Sequence, residues 1–240
     1  MHVQFGELKW PLRERRLVRP WEFQLNRVAR KLGVPVMFRR HFDHRLDMVS
    51  MEQVNNLQIL LDGVLDHGVP GAVVELGVHV GCTAAVMAQL LKGTDREGQF
   101  HVYDLFVGDW SSVQSVRDRF ESNFKALGLR IPEVHEGDVR ATVPAQLPDA
   151  IAFAHVDLGV GSDHELHGEL ITHALNTVYP RLSRHGVMVF MDHHRPGLTV
   201  EGNDSNPAVR DACDAFFKDK PEQVRMLYGG PSSHGFMRKQ

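Results

Sequence analysis

The sequence predicts an α/β fold built on a doubly wound, mainly parallel sheet. Short apolar runs alternate with amphipathic stretches across residues 72–218, the pattern of strands covered by helices on both faces. Five of these runs end on or near an acidic residue: Glu75, Asp104, Asp138, Asp157 and Asp192. The first run, Val73-Val74-Glu75-Leu76-Gly77-Val78-His79-Val80-Gly81-Cys82-Thr83, reads as strand, glycine turn and helix start. In open α/β sheets ligands bind at that junction.

Trp21 to Leu32 has helical spacing, with Phe23, Val28 and Leu32 near one face, and Gly33 and Pro35 stop it. Ser50-Met51-Glu52-Gln53 is a capping box. The helix it opens carries Val54, Leu57, Leu61 and Val64 at helical period. Gly68, Pro70 and Gly71 end that helix. Strand 72–77 then leads into helix 82–92, and strand 100–104 into helix 112–127. A short strand, 133–136, stops at Gly137-Asp138. Strand 151–157 precedes helix 164–178, strand 187–192 precedes helix 207–218, and two closing strands lie near 223–228 and 234–238.

With 240 residues, 42% hydrophobic and 24% charged, the chain has enough apolar material for one good α/β core. No stretch approaches the roughly 20 apolar residues of a membrane helix. Lys9, Arg13, Arg15, Arg16 and Arg19 have no apolar run behind them and do not read as a secretory signal. The two cysteines, Cys82 and Cys213, are far apart and suit a reducing cytoplasm. Residues 1–50 carry a net charge of +6 against −9 in the remainder. The arginines lack aromatic interleaving beyond Trp10 and Trp21, so a solvated helical face or a subunit contact is expected rather than nucleic acid.

The glycine turn argues for a particular kind of cofactor. A pyrophosphate turn needs Gly-x-Gly-x-x-Gly, its middle glycine clearing space for phosphate. Here His79 stands at that middle position and the spacing is Glu75-x-Gly77-x-x-x-Gly81. This form suits a ligand without phosphate, held by amides and a carboxylate, such as S-adenosylmethionine. Clustered carboxylates repel one another unless a cation sits among them. A sulfonium with an ammonium, or a metal ion, relieves that repulsion. Asp104, at the end of the second strand, is placed to accept hydrogen bonds from both ribose hydroxyls. Asp138 is placed to meet the adenine amino group, or else simply forms a Gly-Asp turn.

Asp157 and Asp192 end strands expected to be neighbours, and His193 and His194 follow Asp192 directly. Asp157, Asp192 and His193 make a candidate metal corner. Two carboxylates favour Mg²⁺; an added imidazole moves the preference towards Mn, Fe, Ni or Zn. The alternative is that the histidines cap the strand and bond to loop backbone.

These residues resemble the macrocin O-methyltransferase (TylF-type) family of S-adenosylmethionine-dependent enzymes, over about Met48 to Lys239. The similarity is carried by Met48 to Leu57, Gly68 to Gly77, Val102-Tyr103-Asp104-Leu105-Phe106-Val107-Gly108, Gly137 to Pro144, Ala154 to Asp157, Val178 to Leu182, Gly186 to Asp192, and Ala212 to Phe217. The resemblance implies a class I methyltransferase (Rossmann-like) fold. It also implies a helical lid and dimer-contact segment at 1–67 and a cofactor-binding core at 68–240. Homodimerisation and action on a small-molecule natural-product intermediate follow from the same likeness. The family's paired aspartates after the fifth strand are here Asp192 and His193. Its Asp-x-Asp-x-Tyr pattern after the fourth strand is replaced by Asp157-Leu158-Gly159-Val160-Gly161-Ser162-Asp163-His164-Glu165.

The expected reaction is therefore methyl transfer from S-adenosylmethionine to an oxygen of a small molecule. Met48, Glu75, Gly77, His79, Gly81, Thr83, Asp104, Asp138 and Asp157 are the expected cofactor-binding residues. A metal (Mg, Mn or Fe) at Asp157, Asp192 and His193 would bind the acceptor and lower its pKa. His194, or else His164, would take the proton. Metal-independent N-methylation is the alternative within the class. A nicotinamide oxidoreductase is a further one, against which His79 and the lack of a Tyr-x-x-x-Lys pair weigh. A non-catalytic binder using the 15 histidines is a third.

Overall fold

The computed structural model describes residues 20–36, 49–107, 115–160, 163–194, 207–229 and 234–240. Met48, expected near the cofactor, and residues 195–206 lie outside the described residues. The chain divides into two units, one within residues 2–48 and the other spanning 49–240. The first is described through α1 (Pro20–Lys31), which closes on Arg30 and Lys31, cations suited to a helix C-terminus.

The second unit begins with α2 (Met51–Asp66), so this helix belongs with the sheet. Its capping box forms as expected: Gln53 N donates to Ser50 Oγ at 3.1 Å and Ser50 N donates to Gln53 Oε1 at 2.8 Å. Ser50 Oγ also donates to Gly229 O, and Asn56 Nδ2 donates to Tyr228 O at 2.9 Å. Leu57, Leu61 and Val64 are fully buried, each worth about 2 kcal/mol in apolar burial.

Seven strands form one sheet: β1 (Ala72–Leu76), β2 (Phe100–Asp104), β3 (Glu133–Glu136), β4 (Ile151–Val156), β5 (Leu182–Phe190), β6 (Arg225–Leu227) and β7 (His234–Arg238). Their order is β3-β2-β1-β4-β5-β7-β6. The pairings from β3 through β5 are parallel, and β7 runs antiparallel to β5 and β6. The order reverses between β1 and β4, the crevice where doubly wound folds take ligands. The intervening helices are α3 (Cys82–Leu91), α4 (Val116–Leu127), α5 (Val139–Gln146), α6 (His164–Val178) and α7 (Ala208–Phe217). α2 packs on α3, while α5, α6 and α7 pack in series. Val74, Leu76, Ile171, Leu175, Met188 and Phe190 are among the residues of the core under that second layer.

Three departures from the sequence expectation have local causes. α5 forms where the sequence reading placed no element, with Pro144 inside it; Asp138 caps its start by accepting from Arg140 N. β5 starts at Leu182 rather than 187, since Leu182 pairs with Ile151 ahead of a register shift. It stops at Phe190, and Asp192 sits beyond it in a turn with φ of 58°.

Candidate active site

The turn after β1 is held in place before any ligand arrives. Gly77 has φ of 82°, and a Cβ there would stand 1.9 Å from Asp157 O. Gly81 has φ of 86°, and its Cβ would stand 2.7 Å from Phe120 Cδ2. Only glycine meets both demands at each position. His79 between them adopts φ of 47°, a conformation uncommon outside glycine. Asp104 Oδ2 accepts from Val78 N at 2.6 Å and His79 N at 2.8 Å, while Oδ1 accepts from Phe106 N at 2.6 Å. Asn123 Nδ2 donates to Val80 O at 2.9 Å. The carboxylate expected on ribose thus pins the turn to β2. Thr83, in the first turn of α3, is buried beside Glu75.

Glu75 is wholly buried and its Oε1 lies 2.8 Å from His155 Nδ1. The two residues are register partners on β1 and β4. Burial pushes the Glu75 carboxyl up to about 8; the Thr83 hydroxyl pulls it down and Asp104 pushes it further up. Burial also drives the His155 imidazole down to about 3, against an opposing pull from Asp192. At neutral pH this is a carboxylic acid beside a neutral imidazole. The His155 ring meets His234 edge-on at 5.7 Å, and His234 is held well below its ordinary value by burial and by His155. Glu75 Oε2, His155 Nε2 and both His234 nitrogens are buried without a hydrogen-bond partner among the described residues.

Asp157 and Asp192 come together at the ends of β4 and β5. Asp157 is partly exposed, yet enclosed enough that burial is the main cause raising its carboxyl well above the usual range. Asp192, Glu75 and Asp104 add to that rise. His193 is fully buried against the backbone of Gly235, whose Cβ would stand 2.6 Å from the imidazole Cγ. Asp157, Asp192 and His193 do not bring three ligand atoms within 4.8 Å of one another, the spacing a shared metal ion needs. Among the described residues only His101, Glu133 and His135 do so. His194 is buried at the same sheet edge; His164 is exposed at the start of α6. His167, one turn on, is buried within the influence of both Asp192 and His164.

Asp138 stands apart from this group. It caps α5, and Arg140 donates to it through Nε at 3.0 Å and a terminal nitrogen at 2.5 Å. That pairing holds its carboxyl at about 2.

A family model described as a methyltransferase domain matches residues 74–193, half of the chain. The chain belongs to this methyltransferase family. Mycinamicin III 3''-O-methyltransferase of Micromonospora griseorubida is 27% identical over 177 residues, covering 62% of this chain and 65% of that relative. The solved O-methyltransferase NovP superposes with a TM-score of 0.63 at 18% identity, covering 89% of this methyltransferase and 88% of NovP. CalS11, a TDP-rhamnose 3'-O-methyltransferase of calicheamicin biosynthesis, gives 0.59 at 20% identity over 91% and 94%. The SAH-bound methyltransferase PaMTH1 of Podospora anserina gives 0.55 at 15% over 91% and 96%. These structures share the class I Rossmann-like fold with this one.

Sequence reasoning did not single out three buried histidines near the ends of β4 and β5: His155, His167 and His234. The signal for His155 was present. Val73-Val74-Glu75 and Phe153-Ala154-His155 end one strand-step before their turns, so parallel pairing sets Glu75 beside His155. Nothing local marks His234, which reaches the row only through antiparallel β7.

Proposed function

We propose that this methyltransferase moves the methyl group of S-adenosylmethionine to a hydroxyl oxygen of a small molecule, in the manner of the TylF-type natural-product enzymes. The supporting observation is the set of Glu75, Asp104, Asp157 and Asp192 around the glycine turn, in which Asp104 adds to the raised proton affinity of Glu75, and Asp192, Glu75 and Asp104 to that of Asp157. Such a cluster favours a cationic ligand. S-adenosylmethionine brings a sulfonium and an ammonium. The names of the mycinamicin and TDP-rhamnose relatives make a sugar hydroxyl the first acceptor to test.

In this reading Glu75, Gly77, His79, Gly81 and Thr83 surround the methionyl end, with Asp157 beside the sulfonium. Asp104 already accepts three amide protons on its four lone pairs, which leaves Oδ1 room for one ribose hydroxyl. Asp138 is committed to Arg140 and is left out of the cofactor roles. The sulfonium makes the methyl electrophilic, so the protein's main task is alignment. His194, buried at the sheet edge, takes the acceptor proton; exposed His164 is the second candidate. A metal would supply Lewis-acid activation, but Asp157, Asp192 and His193 do not fit one as placed. The lid and homodimer contact expected over residues 1–67, with Met48 on the cofactor, belong to the same reading through the family resemblance, the part from α2 onward serving the core on which it packs.

The test has two stages. Calorimetry should show S-adenosylmethionine binding at about micromolar strength. Label from the donor methyl should then appear on oxygen in a panel of glycosides and free polyols. Absence of binding removes the proposal; label on nitrogen alone removes its oxygen specificity.

A further inference from the structure

His101, Glu133 and His135 project from one face of the β2–β3 pair at the edge of the sheet. His101 is the register partner of Glu133, and Tyr103 of His135; strand residues two apart share a face. His101 Nδ1 lies 3.1 Å from His135 Nε2 and 3.6 Å from Glu133 Oε2. His135 Nε2 lies 3.8 Å from Glu133 Oε1. Ligand atoms on tetrahedral bonds of about 2.0–2.2 Å stand about 3.3–3.5 Å apart. The two nitrogens need to part by only a few tenths of an ångström, and Glu133, which approaches each ring with a different oxygen, needs to turn one of them towards both.

His135 is also oriented as a ligand requires. Its Nδ1 lies 2.7 Å from Gln146 Oε1, an acceptor, so Nδ1 carries the proton and Nε2 turns a lone pair towards the cluster. The Tyr103 ring stacks on the imidazole at 4.4 Å, and its hydroxyl donates to Gln146 O at 2.8 Å. Metal-binding histidines characteristically have such support behind them.

We propose that His101, His135 and Glu133 bind a divalent transition metal, zinc being the ion that two imidazoles and a carboxylate suit best. The ion takes the place of the proton that otherwise bridges the two rings, and the His101 proton moves to Nε2. The Glu133 side chain is 62% exposed, so water fills the fourth corner. His101 is the second residue of β2, whereas the acid cluster gathers at the C-terminal ends of the strands. The ion therefore fastens edge strand β3 to β2 rather than acting on a bound cofactor, and this site does not depend on the proposed reaction.

Chelator-stripped full-length protein, titrated with Zn²⁺ in a calorimeter, is expected to bind one ion with a Kd of about 1 μM or tighter. X-ray absorption of the zinc-loaded wild type should count two imidazoles around the ion. His101→Ala and His135→Ala should each weaken binding by about 100-fold and Glu133→Gln by about tenfold. Asp157→Asn and Asp192→Asn should leave it within about twofold. Zinc should raise the melting temperature of the wild type but not of His101→Ala. Binding that survives both histidine changes overturns the proposal, as does an absorption spectrum without two imidazoles. So does a folded wild type that takes up no zinc below about 100 μM. The absorption measurement needs no variant to fold.

Discussion

Glu75 and Asp138 began as equals: acids at the ends of two parallel segments of one sheet, both expected to hold the same cofactor. The structure separates them by about six pH units, with Glu75 near 8 and Asp138 near 2. Glu75 has no exposed surface and a neutral imidazole for a partner. Asp138 has a 36% exposed side chain and an arginine two residues away. The difference lies in where the balancing cation comes from. Asp138 has one in its own chain and needs no ligand. Glu75, with Asp104 and Asp157 beside it, has none among these partners, and its burial without charge is what a bound cation would reverse.

The largest effect should come from removing the geometry that buries Glu75. Gly77 lets β1 end against the backbone of Asp157, and an alanine Cβ would meet Asp157 O at 1.9 Å. The positive φ adds strain of its own. Gly77→Ala is therefore expected to cost about 3 kcal/mol or more, read from the denaturant midpoint. A loss under about 1 kcal/mol would mean that the β1–β4 junction is loose, and the contrast with Asp138 would lose its structural basis.

Glu75→Gln tests the contrast directly. The folded pKa of Glu75 is above its ordinary value of 4.5, so the folded chain keeps a proton that the unfolded chain has lost. Stability from this group is complete below about pH 4.5 and is lost as pH rises through about 8, by at most about 1.4 kcal/mol per pH unit. His155 works oppositely: held to about 3, it makes stability rise with pH between about 3 and 6.5. The part contributed by these two groups should thus hold nearly level from pH 4.5 to 6.5 and weaken from 6.5 to 8, and the Gln variant should weaken less than the wild type over that second range. A cationic cofactor should expel the Glu75 proton. Calorimetry of S-adenosylmethionine binding at pH 7 in buffers of different ionisation enthalpy should show release of nearly one proton in the wild type and none in the variant. Affinity should fall about 30-fold or more in the variant. Equal proton release from both would place the missing charge elsewhere in the cluster.

How far the site could be read from the chain follows from which interactions are local. Glu75, Gly77 and Gly81 were legible because strand, turn and helix adjoin, and the turn demands its residue types. The Ser50–Gln53 cap and α6 were legible for the same reason. Asp104 was legible as an acid at the right edge, but its grip on three amides depends on the chain folding back at Phe106, whose φ of 51° no residue pattern announces. Asp192 was expected to continue β5 and instead turns out of it. The His101–Glu133–His135 group becomes visible only once β2 is paired with β3, because each strand alone shows a solitary His or a Glu-x-His.

The smallest effect, and the sharpest test of the contrast, belongs to Asp138→Asn. Asparagine caps a helix about as well as aspartate, so α5 should keep its start while the Arg140 ion pair is lost. Asp138 is held below its ordinary value of 3.8, so its contribution is present above about pH 4 and lost as pH falls through about 2. The pair is more than a third exposed and screened by solvent, which keeps its worth small. The variant should therefore be slightly less stable than the wild type at pH 7 and converge on it as pH falls below about 2, with its S-adenosylmethionine affinity changed less than about threefold. A fall of tenfold or more would show that Arg140 releases Asp138 to the adenine when the cofactor binds. The two acids would then be equals after all, one waiting in a buried, protonated form and the other in a borrowed ion pair.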